Sequence, residues 1–167
     1  MGGTLGHVFI IGGTGMLAEA SRWISERAIS LTLAARNPEP LAKMLGAIPL
    51  QLDWSNRTTA LPDMAFDIAI TWLHDDGIWL TRPAENLLQV GGRSIRIHGS
   101  NSFDPAMRAL RDPDPRKDVK RQTVILGWID AEENKRWLTN GEICDGVITA
   151  INAPDREIVI VGNADGQ

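Results

Sequence analysis

The stretch that decides the fold is "HVFIIGGTGMLAEASRWISERAISLTLAARN", His7–Asn37. It opens on a run, His7–Ile11, that is apolar on both faces, as a strand buried inside a parallel sheet requires. It then breaks into glycines. From about Gly15 to Ala28 the apolar residues Met16, Ala20, Trp23, Ile24 and Ala28 recur at three- and four-residue spacing. Glu19, Arg22, Glu26 and Arg27 take the opposite side, which predicts an amphipathic helix. A second strand, Leu31–Ala35, ends on Arg36 and Asn37.

The glycine loop, Gly12-Gly13-Thr14-Gly15-Met16-Leu17-Ala18, has a GxxGxxA spacing. Glycine allows unusual dihedrals and close approach of backbone to a phosphate. The free N–H groups of a following helix, with its dipole, suit a pyrophosphate. Ala18 is small enough to let that helix lie close to the sheet. No Gly-Lys-Ser/Thr follows, which excludes an ATP-type phosphate loop. The plain alternative is a structural turn in an α/β domain that binds no nucleotide.

Working outward, strands are expected at 48–52, 67–73, 93–98, 122–129 and 157–161. Helices are expected near Leu41–Leu45, over 83–90 with a stop at Gly91-Gly92, over 104–110, and from Thr139 to Ile151. "TNGE" at Thr139–Glu142 has the spacing of a capping box. "RDPDPRKD" at Arg111–Asp118 is a charged, proline-rich loop. Alternating strands and helices predict a single-domain α/β fold, a doubly wound parallel sheet of about seven strands, the Rossmann fold. Ligands of such sheets bind beyond the carboxyl ends of the strands, so residues there rank highest.

Those ends supply the candidates. Arg36 stands where NAD-binding domains usually hold an acidic residue against the ribose; a guanidinium suits a 2′-phosphate instead. With Gly12, Thr14, Gly15, Met16, Leu17 and Asn37, it predicts NADP(H) as cofactor. Asp53, after strand three, is a candidate for the adenine amino group with Trp54 against the ring, or simply an Asx-turn residue. "TWLHDD" (71–76) brings Thr71, Trp72 and His74 towards the cofactor. "IRIHGSNSF" (95–103) does the same for His98 and Ser100. Histidine titrates near neutrality and is a candidate proton donor, though His74 also reads as an exposed loop residue and His98 as a structural histidine bonded to backbone. Lys117, Lys120 and Arg121 are candidates for an anionic substrate or are solvated surface. Trp72 and Trp79 are candidate pocket walls; Trp23, Trp128 and Trp137 read as core or partner interface. No arrangement of His, Cys and Asp has metal-site spacing, so no metal is expected.

Composition narrows the classes further. The 167 residues carry a net charge of −4, one cysteine (Cys144), six tryptophans and no tyrosine. An acidic balance disfavours nucleic-acid binding. Cys144 has no disulfide partner, and "VFII" is too short to span a membrane, so a cytoplasmic protein with no membrane association is expected.

The segments "IGGTGMLA" (11–18), "AARN" (34–37) and "LDWS" (52–55) together resemble the short-chain dehydrogenase/reductase superfamily. "RQTVILG" (121–127) and "RWLTNGEI" (136–143) are similar to segments of small bacterial Rossmann proteins of that type. The resemblance implies an NADP(H)-dependent oxidoreductase acting on a small molecule. It also implies a substrate-binding serine near Ser100. The departure is sharp: the superfamily's Tyr-x-x-x-Lys pair is absent, since the chain has no tyrosine. The expected function is therefore an atypical oxidoreductase passing hydride to an imine, enone or carbonyl. The alternative is a non-catalytic NADP(H)-binding regulatory or partner subunit. A homodimer fits so reduced a unit, which has little protein of its own to close over a ligand.

Overall fold

In the computed structural model, which describes residues 4–57, 59–112 and 116–163, the apolar run forms strand β1 (His7–Ile11) near the middle of a seven-stranded sheet. The other strands of that sheet are β2 (Ser30–Ala35), β3 (Ile48–Gln51), β4 (Phe66–Trp72), β5 (Leu88–His98), β6 (Lys120–Leu126) and β9 (Ile158–Val161). Their spatial order is β3-β2-β1-β4-β5-β6-β9, and every neighbouring pair is parallel. The chain winds outward one way through β1, β2 and β3, then restarts at β4 on the other side of β1. The switch between β1 and β4 opens a crevice at the carboxyl edge.

Parallel strands bury both faces, and two cores result. On one face Ile10, Ile70, Ile95, Ile97 and Val124 pack against α1 (Ala18–Ser25) through Ala20 and Ile24, and against α5 (Asn140–Asn152) through Ile143, Val147 and Ile151. On the other, Phe9, Ile11, Phe66, Ala69 and Leu73 meet Leu80 and Ala84, with Phe9 and Phe66 stacked at 5.1 Å. The capping box of α5 forms as its spacing predicts. Thr139 Oγ1 accepts from the Glu142 amide and Glu142 accepts from the Thr139 amide. At the far end of α5, Arg93 donates to the carbonyls of Ala150 and Ile151, and Gln122 to Ala150 and Ala153.

Four expectations need correction. α1 starts at Ala18, because residues 12–17 are used by the turn. Gly91 and Gly92 do not stop a helix but lie inside β5; Gly91 takes φ +80° beside an irregularity in the β4–β5 register. The helix before them, α3, covers only Thr81–Asn86 and is preceded by a 3-10 turn, Asp75–Leu80. The strand expected at 122–129 ends at Leu126. After Gly127 the chain makes an antiparallel hairpin, β7 (Trp128–Ala131) and β8 (Asn134–Trp137). Of the "RDPDPRKD" loop, residues 113–115 lie outside the described residues. Helices α2 (Glu39–Leu45) and α4 (Pro105–Arg111) form close to their expected spans, α4 with Asp104 accepting from the Ala106 amide. No helix among the described residues is long and apolar enough to cross a membrane.

Candidate functional site

The glycine loop begins where β1 ends. The Gly12 N–H continues the β1–β2 ladder to Ala34 O at 3.0 Å. Its φ of +84° and the Trp72 carbonyl, 2.7 Å from where a Cβ would stand, make glycine necessary there. Gly13 is the close contact between helix and sheet. A Cβ on it would meet Ile10 Cγ2 at 2.7 Å and Ser21 Oγ at 2.8 Å, and Ser21 donates to the Gly13 carbonyl. A Cβ on Gly15 would meet nothing within 4 Å. The backbone of the loop is thus bare towards solvent at Gly15, and α1 follows with no side-chain cap, since buried Leu17 holds the N-cap position.

At the end of β2, Arg36 and Asn37 are exposed. The guanidinium of Arg36 lies over the Trp54 ring at 4.9 Å, and Trp54 accepts a hydrogen bond from Trp79 Nε1 at its carbonyl. Trp79 therefore braces Trp54. Asp53 forms the Asx turn: Oδ1 accepts from the Ser55 amide at 3.0 Å and its hydroxyl at 2.7 Å. Those two hydrogen bonds, with the charge of Arg36, hold its carboxyl below the ordinary range. Cys144, on α5, donates to the Met16 carbonyl at 3.1 Å. Burial pushes its thiol pKa up, and the Glu19 and Ala20 amides counter this only in part.

Beyond the ends of β4, β5 and β6 lies a cavity of about 490 Å³. Met16 of the glycine loop, Trp72 of β4, Ser100 after β5, and Leu126 and Gly127 of β6 line it. Leu138 and Ile143 add apolar wall, and Trp137 of the hairpin, 75% exposed, stands at its side. Asn101, Ser102 and Arg111 complete its polar lining. Arg136 of the hairpin grips Glu142 of α5 through two hydrogen bonds, of 2.8 and 3.0 Å, and donates to the Trp137 carbonyl at 3.1 Å.

The candidates divide clearly. Met16, Trp72 and Ser100 line the cavity. Thr71 is buried in the sheet next to it. His74 is exposed, edge-on to Trp72 at 5.4 Å, and does not line it. His98 is 4% exposed and turned to Asp112, at 2.9 Å; its partner is a carboxylate, not the backbone. That carboxylate belongs to a buried network in which Arg96 bridges Asp112 and Glu85, and Arg121 joins Glu85. Lys120 and Arg121 open β6 at the sheet's opposite edge, the former paired with Asp155. Among the described residues no group of His, Cys, Asp or Glu is placed to hold a metal. Reading by strand ends missed Gly127, although the same rule applied to β6 points at it. It also missed Arg111, a helix-end residue that carries no sequence signal, and Trp137.

A dinucleotide would fit these residues. The bare backbone at Gly15 would take its pyrophosphate, and Arg36 a 2′-phosphate. The cavity beside Met16 would take its reactive end.

No family model matches the chain, and no curated protein matches it. Solved structures do. The chain is similar to BdcA of E. coli in complex with NADPH, at 17% identity and a TM-score of 0.66, with 97% of this chain and 95% of that one covered. A short-chain dehydrogenase/reductase from Serratia marcescens gives 13% identity, a TM-score of 0.64 and 98% coverage of both. TT0495 protein from Thermus thermophilus gives 15%, 0.61, and 96% and 97%. The chain shares the fold of these proteins, a doubly wound parallel α/β sheet.

Proposed function

We propose that this protein is an NADP(H)-dependent oxidoreductase that passes hydride to a small imine, enone or carbonyl substrate. The observation that carries the reading is the cavity of about 490 Å³ at the carboxyl edge of β4–β6, which begins at Met16 of the glycine loop. The bound nicotinamide would supply the hydride. The chain would supply the seat: Gly15 backbone for the pyrophosphate, Arg36 propped on Trp54 for the 2′-phosphate. Ser100 is the one of the three catalytic candidates that lines the cavity, and its hydroxyl would orient the substrate. The likeness in fold to BdcA, solved with NADPH, supports the choice of cofactor.

A second reading, a dinucleotide-binding module without turnover, is favoured by one specific fact. Apart from arginine, no side chain lining the cavity carries an ionisable group, and the chain has no tyrosine. A substrate that needs little proton donation, such as an iminium or an activated alkene, separates the two readings.

The test is a titration with NADPH and NADH, followed by tryptophan quenching. The expected result is NADPH tighter by about ten-fold, with Arg36→Ala erasing the preference. Equal affinities, or a preference that survives in the variant, remove the assignment. Turnover of NADPH over a panel of cyclic imines and enones, lowered by Ser100→Ala, supports the enzyme; binding without turnover on any acceptor supports the module.

A further inference from the structure

We infer that the cavity beyond β4–β6 binds its substrate by a carboxylate, held by Arg111 and Ser102; as a statement about the substrate this rests on the oxidoreductase reading above. The polar part of the lining comes from one segment: Ser100, Asn101, Ser102 and, at the end of α4, Arg111. None of the lining residues is acidic. Ser102 is 1% exposed, yet its hydroxyl has no hydrogen-bond partner. A buried hydroxyl without a partner is rare in folded proteins and marks a place where a missing group completes the set.

Arg111 supplies the charge. Its guanidinium donates to Asp75 Oδ1, but the two partners differ in exposure: the Asp75 side chain is 84% exposed and that of Arg111 is 24%. An exposed carboxylate is readily exchanged for another that brings an apolar body into the cavity with it. The backbone beneath Arg111 is well anchored, because the next residue, Asp112, gives one oxygen to Arg96 and the other to His98. Planar guanidinium groups suit carboxylates, which they can meet with two parallel hydrogen bonds. Trp72, Leu126, Leu138 and Ile143 form the wall for the rest of the molecule. The implied ligand is a small organic acid with an apolar or aromatic body.

Phenylacetate and its uncharged isostere phenylacetamide test this on the full chain, by calorimetry, with and without NADPH. The expected result is phenylacetate tighter by about ten-fold, as befits one charge-assisted pair. Arg111→Met should remove that preference. Asp75→Asn, which removes the competing carboxylate at an exposed position, should tighten phenylacetate several-fold and leave phenylacetamide alone. Ser102→Ala should weaken phenylacetate and keep the fold, as a thermal melt would show. Equal affinities for the two probes, no binding of either, a preference that survives Arg111→Met, or an Asp75→Asn variant that leaves phenylacetate unmoved each overturns the inference. If Arg111→Met does not fold, Asp75→Asn decides alone. NADPH titrated separately keeps the two readings apart: tight NADPH with indifferent probes sinks only the carboxylate site, and a carboxylate preference without NADPH binding sinks only the oxidoreductase.

Discussion

His98 Nε2 stands 2.9 Å from Asp112 Oδ2, while the other oxygen of that carboxylate receives Arg96 Nη1 at 2.6 Å. The pair ties the end of β5 to the end of α4, and through Arg96 to Glu85 on α3. Arg96 and Glu85 are 2% and 1% exposed. Removing one partner of a buried pair leaves an uncompensated charge, which costs about 3–5 kcal/mol. Arg96→Met should therefore lower the unfolding free energy by that amount in urea. A loss below about 1 kcal/mol would mean that Arg121 and Arg116, which also bind Glu85, carry the network without it.

The same network should set the acid limit of stability. Burial alone raises the Glu85 and Asp112 carboxyls. In Glu85 the Arg116 amide and then Arg121 and Arg96 outweigh it; in Asp112 the hydrogen bond and charge of His98, then Arg96, do so. Both end below the ordinary carboxylate range. A carboxyl depressed in the folded state contributes stability that is fully present above its unfolded pKa of about 4 and is lost as pH falls through the folded value. Urea midpoints should hold between pH 7 and about 5, then fall steeply below about 4. In Asp112→Asn that acid limb should be shallower. An unchanged limb in the variant would place the acid sensitivity elsewhere.

The capping box allows a prediction about the cavity wall. Thr139 caps α5, and Glu142 binds both the Thr139 amide and Arg136 of the hairpin. Those partners pull the Glu142 carboxyl down to about 2. Thr139→Ala should cost about 1 kcal/mol of stability, as helix caps do. Glu142→Gln should instead speed amide exchange across β7 and β8, because Arg136 is their tie to α5. Exchange in the hairpin that matches wild type would show that Trp128, packed edge-on to Phe103 at 6.1 Å, holds it without the ion pair.

Much of this was readable from the chain, for physical reasons that particular residues expose. β1 and α1 declare themselves because burial on both faces and a helical apolar stripe are strong periodic signals. The capping box is a local motif that forms in place. The β7–β8 hairpin was not readable: its two-residue turn is Glu132-Glu133, with Glu132 at φ +41°, and no Asn-Gly or Asp-Gly advertises it. The Gly91-Gly92 pair misled because glycines end helices and also relieve sheet irregularities. His98 was correctly singled out as a polar residue at a strand end. Its direction depends on Asp112, fourteen residues later, and strand-end position alone cannot tell a cavity from a buried carboxylate. Arg111 reaches the cavity only because α4 returns the chain to the carboxyl edge, a tertiary fact with no local trace.

The two glycines of the loop offer the sharpest separation of fold from function. At Gly13 a methyl group would press on Ile10, Ser21 and Leu33 within 3.1 Å. Overpacking of that kind costs about 1–3 kcal/mol, so Gly13→Ala should lose stability whether or not anything binds. At Gly15 the same methyl group meets no protein atom within 4 Å, and φ there is not positive. Gly15→Ala should fold with stability unchanged to within about 0.5 kcal/mol. If the bare backbone at Gly15 is where a pyrophosphate approaches, the methyl group stands in its way, and NADPH affinity should fall on the order of ten-fold or more. Calorimetric binding on a variant whose melting curve overlays the wild type would isolate the effect. A Gly15→Ala protein that binds NADPH as tightly as wild type would falsify the seat assigned to the dinucleotide, because nothing but the ligand competes for that space.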